Sequence, residues 1–257
     1  MKDKVLAIIQ ARMGSSRLPG KMLMPIVNGK GPLELMAERV MKAENIGMLG
    51  IATTDSEKDD KLAELCDKLG LPVFRGSEED VLDRFYKAAL SFGDYKTVVR
   101  LTGDCPLHDP AVIDEVIEFY NNSDCVYASN INPPTYPDGL DAEVVSMDAL
   151  KQSWEQANLM SEREHVTLNI RNNPDIYPRV NLVCKEDLSG LRWTLDEEKD
   201  FEFIRAVYEN FYDEKPDFNM NDILNLLKDK KDLLSLNNDI TRDEGLTKSL
   251  QNDRIVK

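Results

Sequence analysis

VLAIIQARMGSSRLPGK, residues 5–21, joins an apolar run to a loop that carries three cations. The run 5–11 reads as a buried strand. Working outward, helices are predicted near 33–43, 57–69 and 79–92, and strands at 48–53, 72–74, 97–101 and 125–128. Asp109-Pro110 has the form of an N-cap followed by proline at the first helical position, and Val112, Ile113, Val116, Ile117 and Tyr120 then share one face. Strands alternating with helices imply parallel pairing through right-handed crossovers. The expected fold is therefore α/β, a Rossmann-like doubly wound, mainly parallel sheet. Such sheets bind ligands beyond the carboxyl ends of their strands.

From Asn132 the pattern changes. NPPTYPDG (132–139) is rich in turn residues, followed by a strand at 140–146, helices near 147–158 and 161–171, and strands near 180–184 and 191–195. Helices are predicted at 197–212 and 220–234, and the polar tail 237–257 is expected to lie on the surface or fray. A single domain over 1–257, with residues 132–190 as an insertion for acceptor binding and dimerisation, is the simplest organisation.

The chain has 257 residues and a formal net charge of −15. That charge repels nucleic acid and anionic membranes, and no basic polymer-binding patch is present. No apolar run approaches the roughly 20 residues of a membrane span. The N-terminus lacks a signal-peptide pattern, and Cys66, Cys105, Cys125 and Cys184 are dispersed, which fits a reducing cytoplasm. Between Asp3 and Glu34 there is no acidic residue, whereas Arg12, Arg17, Lys21 and Lys30 all fall there. An acidic protein that handles an anionic small molecule needs such a local positive site.

The loop 10–21 supplies three cations, two hydroxyls and glycine backbone, a combination suited to a triphosphate. It is not a Walker A loop. Gly14 and Gly20 are one residue too far apart, Met22 stands where Ser or Thr would hold Mg²⁺, and Pro19 removes an amide donor. An ordinary basic surface loop is the alternative. Asp104 follows the strand TVVRL through Gly103 and is a metal ligand or a turn former. Asp196 is a second ligand or a helix N-cap. Asp141 and Glu143 alternate onto one strand face, where they bind an acceptor or simply face solvent. His165 sits on a predicted helix, as a structural group or a base.

IIQARMGSSRLPGKML (8–23) resembles the signature of the SpsF-type cytidylyltransferases of spore coat polysaccharide biosynthesis, relatives of the CMP-sialate and CMP-KDO synthetases. LTGDCPLHDP, YPDGLDAEV, EREHVTLNIR, LRWTLDEEKD and TRDEGLTKSL extend the likeness, in order, over nearly the whole chain. The resemblance implies a GT-A-like nucleotidyltransferase fold, CTP as donor, Mg²⁺ as cofactor, a small anionic acceptor and a homodimer. It assigns Arg12, Arg17, Lys21 and Asp104 to catalysis and Asp104 and Asp196 to the metal. Ala11, Gly14, Ser15, Ser16 and Thr102 join the cations in holding nucleotide, with Arg75 and Ser77 near cytosine and ribose. Asp138, Asp141, Glu143, Glu164 and His165 fall to the acceptor. A glycosyltransferase, which usually carries Asp-x-Asp, and a non-catalytic nucleotide-binding protein are the competing readings.

Overall fold

The computed structural model describes residues 4–15, 17–242 and 244–256. Its strands are β1 (Val5–Gln10), β2 (Ile46–Thr54), β3 (Val73–Gly76), β4 (Thr97–Thr102), β5 (Tyr127–Ser129), β6 (Glu143–Ser146) and β7 (Arg179–Asn181). They form one sheet in the order β3-β2-β1-β4-β6-β5-β7. β6 alone runs antiparallel to its neighbours, so the doubly wound, mainly parallel sheet expected from the sequence is the fold observed.

The helices are α1 (Pro32–Val40), α2 (Asp60–Leu69), α3 (Val81–Ser91), α4 (Pro110–Asn121), α5 (Met147–Gln156), α6 (Met160–Glu164), α7 (Leu168–Asn172), α8 (Glu198–Phe211), α9 (Met220–Asp229) and α10 (Glu244–Gln251). The alternation of β1 explains its unbroken apolar run. Val5, Ala7 and Ile9 pack into one core with α1, α2 and α4, whereas Leu6 and Ile8 enter a second core with α3, α5 and α7. A third core under α8 and α9 is built on Trp193, Tyr208 and Phe218. Complete burial of side chains such as Ile8 and Phe85 contributes about 1.5–3 kcal/mol each.

Four elements differ from the sequence reading. Residues 132–190, expected as an insertion, supply β6 and β7, and β6 lies between β4 and β5 within the main sheet. The helix expected over 161–171 breaks at His165–Thr167, where Val166 has φ of +20° and the Thr167 hydroxyl bonds to Glu143 instead of extending one helix. Residues 191–195 are extended but form no strand, because their backbone bonds are divided. Trp193 N–H donates to Asp138 O (2.6 Å), Leu195 N–H donates to Asp104 O (2.7 Å), and Arg192 O accepts from Asn237 (3.0 Å). The tail beyond Asn237, expected to lie on the surface or fray, folds into the surface helix α10 and returns to α6, with Met160 N–H donating to Arg254 O (2.8 Å).

Gly139 permits the close approach of that extended segment. Its φ is +110°, and a Cβ there would lie 2.6 Å from the carbonyl carbon of Trp193 and 2.7 Å from Thr194 N. Gly139→Ala is expected to lower unfolding free energy by about 1–3 kcal/mol, the scale of one strained backbone position. Urea denaturation measures it, and an unchanged midpoint contradicts the assignment.

Candidate active site

The carboxyl ends of β1 and β4 meet at the point where strand order reverses, with Gln10 paired to Thr102. The loop leaving β1 is fixed by Asp59. This buried carboxylate accepts from Met13 N–H (2.7 Å), Thr54 N–H (3.2 Å) and the hydroxyls of Thr53 and Thr54. The loop is thereby tied to the end of β2. Gly20, with φ of +75°, then turns the chain into a single 3₁₀ turn that begins with Lys21.

Lys21 is only 7% exposed. Its ammonium donates to Leu195 O (2.6 Å) and Asp196 Oδ1 (2.8 Å), and lies 3.8 Å from Asp104 Oδ2. The two aspartates predicted as metal ligands therefore face one cation from different segments. Asp196 is not the helix N-cap. Glu197 holds that position, and Asp200 in the first turn of α8 reaches back to accept Asp196 N–H (2.9 Å) and Glu197 N–H (3.0 Å), so the Asp196 carboxylate is left to the cations. Burial raises the Asp196 carboxyl, but Lys21, Arg17 and Arg192 outweigh it and hold its pKa below the usual value.

A cavity of about 460 Å³ opens over this cluster. Ala11, Arg12, Gly14, Ser15, Arg17, Lys21, Thr102, Asp104 and Asp196 all line it, which unites most of the predicted nucleotide and metal residues. Arg17 pairs with Asp196 at 2.9 Å, and the more exposed Arg12 lies 3.6 Å from Glu78. Ser16 lies outside the described residues. Arg75 and Ser77 do not line this cavity. The Arg75 guanidinium instead donates to Thr54 O (3.0 Å) and Ser56 O (2.8 Å) and pairs with Asp60, while Ser77 Oγ accepts from Asp80 N–H (3.0 Å). Both border a neighbouring hollow with Glu78. The N-cap of α3 is Asp80.

A second cavity of about 290 Å³ shares Asp104, Asp196, Arg17 and His165 with the first. Asp138, Asp141 and Glu143 line it, and Glu164 lines the first cavity. The predicted acceptor carboxylates are not free groups. Asp141 accepts from Arg242 (2.7 Å), Asp138 from Arg192 (3.2 Å), and Glu143 from Arg100. Glu143 is 2% exposed, and it also accepts from Tyr127 (2.5 Å) and Thr167. Its carboxylate is therefore a structural anchor under the cavity.

His165 Nε2 lies 3.0 Å from Ser249 Oγ, and the Ser249 hydroxyl donates to Glu164 (2.6 Å). Burial lowers the His165 pKa from its ordinary value. α10 thus closes one side of the site, with Gly245 and Lys248 facing the first cavity. Arg100, Arg171, Arg192, Arg242 and α10 were missed by sequence reasoning. The strings EREHVTLNIR, LRWTLDEEKD and TRDEGLTKSL contain four of those features, but spacing alone does not mark them.

Residues 6–235 match the cytidylyltransferase family model. The spore coat polysaccharide biosynthesis protein SpsF of Bacillus subtilis is 39% identical over 237 residues, covering 90% of this chain and 96% of that protein. A cytidylyltransferase from Leptospira borgpetersenii superposes with a TM-score of 0.85 at 30% identity, covering 93% of this chain and 98% of that one. A CMP:2-keto-3-deoxy-manno-octonic acid synthetase solved with CTP has a TM-score of 0.62 at 19% identity, covering 80% and 99%, a likeness of fold alone.

The anchor has a pH signature. Burial raises the Glu143 carboxyl, but Arg100, Arg171 and the Thr167 and Tyr127 hydroxyls prevail and hold it at about 2, against an ordinary 4.5. A carboxyl with a depressed folded pKa adds stability that is complete above its unfolded value and lost as pH falls through its folded value. Glu143→Gln is therefore expected to be less stable than wild type at pH 7, and to lose stability less steeply between about pH 4.5 and 2. Melting temperature followed against pH tests this, and parallel curves contradict it.

Proposed function

The chain belongs to the SpsF-type cytidylyltransferases, and on that premise we propose that it transfers CMP from CTP to a small anionic acceptor, such as a sugar acid, with release of pyrophosphate. The observation that carries this reading is the Lys21 cluster. One buried ammonium faces Asp104 and Asp196 beside a loop bearing Arg12 and Arg17, at the switch point of the sheet.

In this reaction an acceptor oxygen attacks the α-phosphorus in line. The bond to the bridging oxygen breaks, pyrophosphate departs, and the acceptor hydroxyl gives up its proton. Arg12 and Arg17 are exposed enough to turn onto the β- and γ-phosphates. Lys21 is held rigidly by Leu195 O and meets developing charge without reorganisation. Gly14 leaves the backbone open to the phosphates, and Ser15 supplies a neutral hydroxyl.

The donor set fits Mg²⁺. Asp104 and Asp196 offer two hard carboxylates, and no group of three His, Cys, Asp or Glu side chains suited to a metal occurs among the described residues. Mg²⁺ commonly takes one or two carboxylates and completes its shell with phosphate oxygens and water. When bound, it supplies charge neutralisation at the phosphates. Metal affinity should consequently rise when nucleotide is present.

A glycosyltransferase is disfavoured by the family assignment and by Asp104-Cys105-Pro106, which lacks the second aspartate of Asp-x-Asp. Among the described residues, no helix is long and apolar enough to cross a membrane. We read the enzyme as cytoplasmic and homodimeric, with the region 132–190 shaping the acceptor side.

A pyrophosphate-release screen pairs each nucleoside triphosphate and Mg²⁺ with a panel of anionic acceptors. Turnover is expected with CTP, and turnover confined to UTP or ATP contradicts the proposal. In the same assay Asp104→Asn is expected to lose at least about 100-fold in rate, the scale of removing a key electrostatic element. A near-normal rate would remove Asp104 from the chemistry.

A further inference from the structure

One oxygen of the Glu244 carboxylate serves two cations of the site. Oε2 lies 3.3 Å from Lys248 Nζ, one turn further along α10, and 3.7 Å from Arg17 Nη1. Both cations line the first cavity, whereas Glu244 lines the second. By spacing alone, Glu244 and Lys248 would be an ordinary i,i+4 pair on a helix face. Two observations set them apart. Arg17 reaches the same oxygen from the loop after β1, and Lys248 stands at the wall of the first cavity although its side chain is 69% exposed.

The chain is fastened on both sides of this pair. Before it, Arg242 donates to Asp141 (2.7 Å). After it, Ser249 is buried and donates to Glu164, and Asp253 accepts from Ser161 N–H (3.0 Å) and Ser161 Oγ (2.7 Å). Val256 N–H then donates to Asn158 O (2.8 Å). Lys248 is thereby kept over the cavity by a tethered segment, while the ion pair of its ammonium is with Glu244. This segment lies beyond residue 235, where the match to the family model ends.

We infer that Lys248 is a further polyphosphate-binding residue, and that Glu244 occupies Lys248 and Arg17 until a triphosphate takes its place. A carboxylate between two cations is a suitable counter-ion for the site without nucleotide. It also repels phosphate oxygens brought to the same cations. Partly exposed ion pairs contribute little to stability, so giving up the Glu244 contacts costs little. Phosphate oxygens return stronger charge-assisted bonds to both cations. An ammonium on a flexible four-carbon stem suits the exchange, because its three donors follow the anion without a fixed plane. In a chain of net charge −15, a cation held at the cavity mouth also offsets the long-range repulsion of a nucleotide. The inference rests on the proposed function, in that it takes the first cavity as the nucleotide's.

The test is calorimetric titration of CTP and of CMP, each with Mg²⁺, into wild type, Lys248→Gln, Lys248→Arg and Glu244→Gln. Lys248→Gln is expected to weaken CTP by about 5- to 10-fold, the scale of one partly exposed charge-assisted contact, and to leave CMP unchanged. Lys248→Arg should recover most of the affinity for CTP. Glu244→Gln should strengthen CTP by about 2- to 5-fold, because a competing anion is gone. A purely structural carboxylate gives no change or a loss there. Unaltered CTP binding by Lys248→Gln overturns the inference, and equal losses for CTP and CMP overturn the assignment to the polyphosphate. Glu244→Gln that binds CTP no better than wild type removes the part given to Glu244. If wild type itself does not bind CTP, the proposed function falls first. If it binds CTP and Lys248→Gln matches it, the function stands and this inference alone is lost.

Discussion

The ammonium of Lys21 holds three separate parts of the chain against one another. It lies on the turn after β1, bonds to the backbone and carboxylate at Leu195-Asp196, and faces Asp104 beyond β4. Such a charge is stable under a protein surface only because its donors are met. Removing one partner of a buried pair typically costs about 3–5 kcal/mol. The same contact fixes the spacing between the cationic loop and the two aspartates. Stability and chemistry therefore depend on one side chain, and the surrounding structure can be understood as what keeps it in place.

Asp200 and Asp59 do most of that keeping. Asp200, in the first turn of α8, accepts from the backbone of Asp196 and Glu197 and from Arg192 and Asn237, while Glu197 holds the N-cap position that the sequence suggests for Asp196. Asp59 holds the loop after β1 through Met13 N–H, so the loop's cations start from a defined backbone. Arg192 and Arg242 neutralise Asp138 and Asp141, and α10 adds Glu244 and Ser249 around Arg17 and His165. The site is thus a dense lattice of paired charges. On the proposed function, phosphates and metal would enter by exchanging partners within it.

Much of this was readable from sequence because the relevant signals are local. The buried run VLAIIQ, the N-cap at Asp109-Pro110 and the cation-rich loop each depend on neighbours a few residues away. What escaped is non-local. Residues 191–195 have the composition of a strand, but their hydrogen bonds go to Asp138, Asp104 and Asn237, which no periodicity records. Asp59 resembles any acid near a helix start. The polar tail reads as a surface segment, yet polar residues such as Arg242 and Ser249 are what a charged cavity needs from a covering segment. Glu143 was placed on a strand face correctly, but burial and three donors make it an anchor, and only tertiary packing reveals that.

The most direct measurement is a crystal structure with CTP and Mn²⁺, using anomalous scattering to locate the metal. The account predicts β- and γ-phosphates against Arg12, Arg17 and Lys21, and a manganese peak in contact with Asp104 and Asp196. A triphosphate bound away from the β1 loop, or a metal held by other residues, would contradict it.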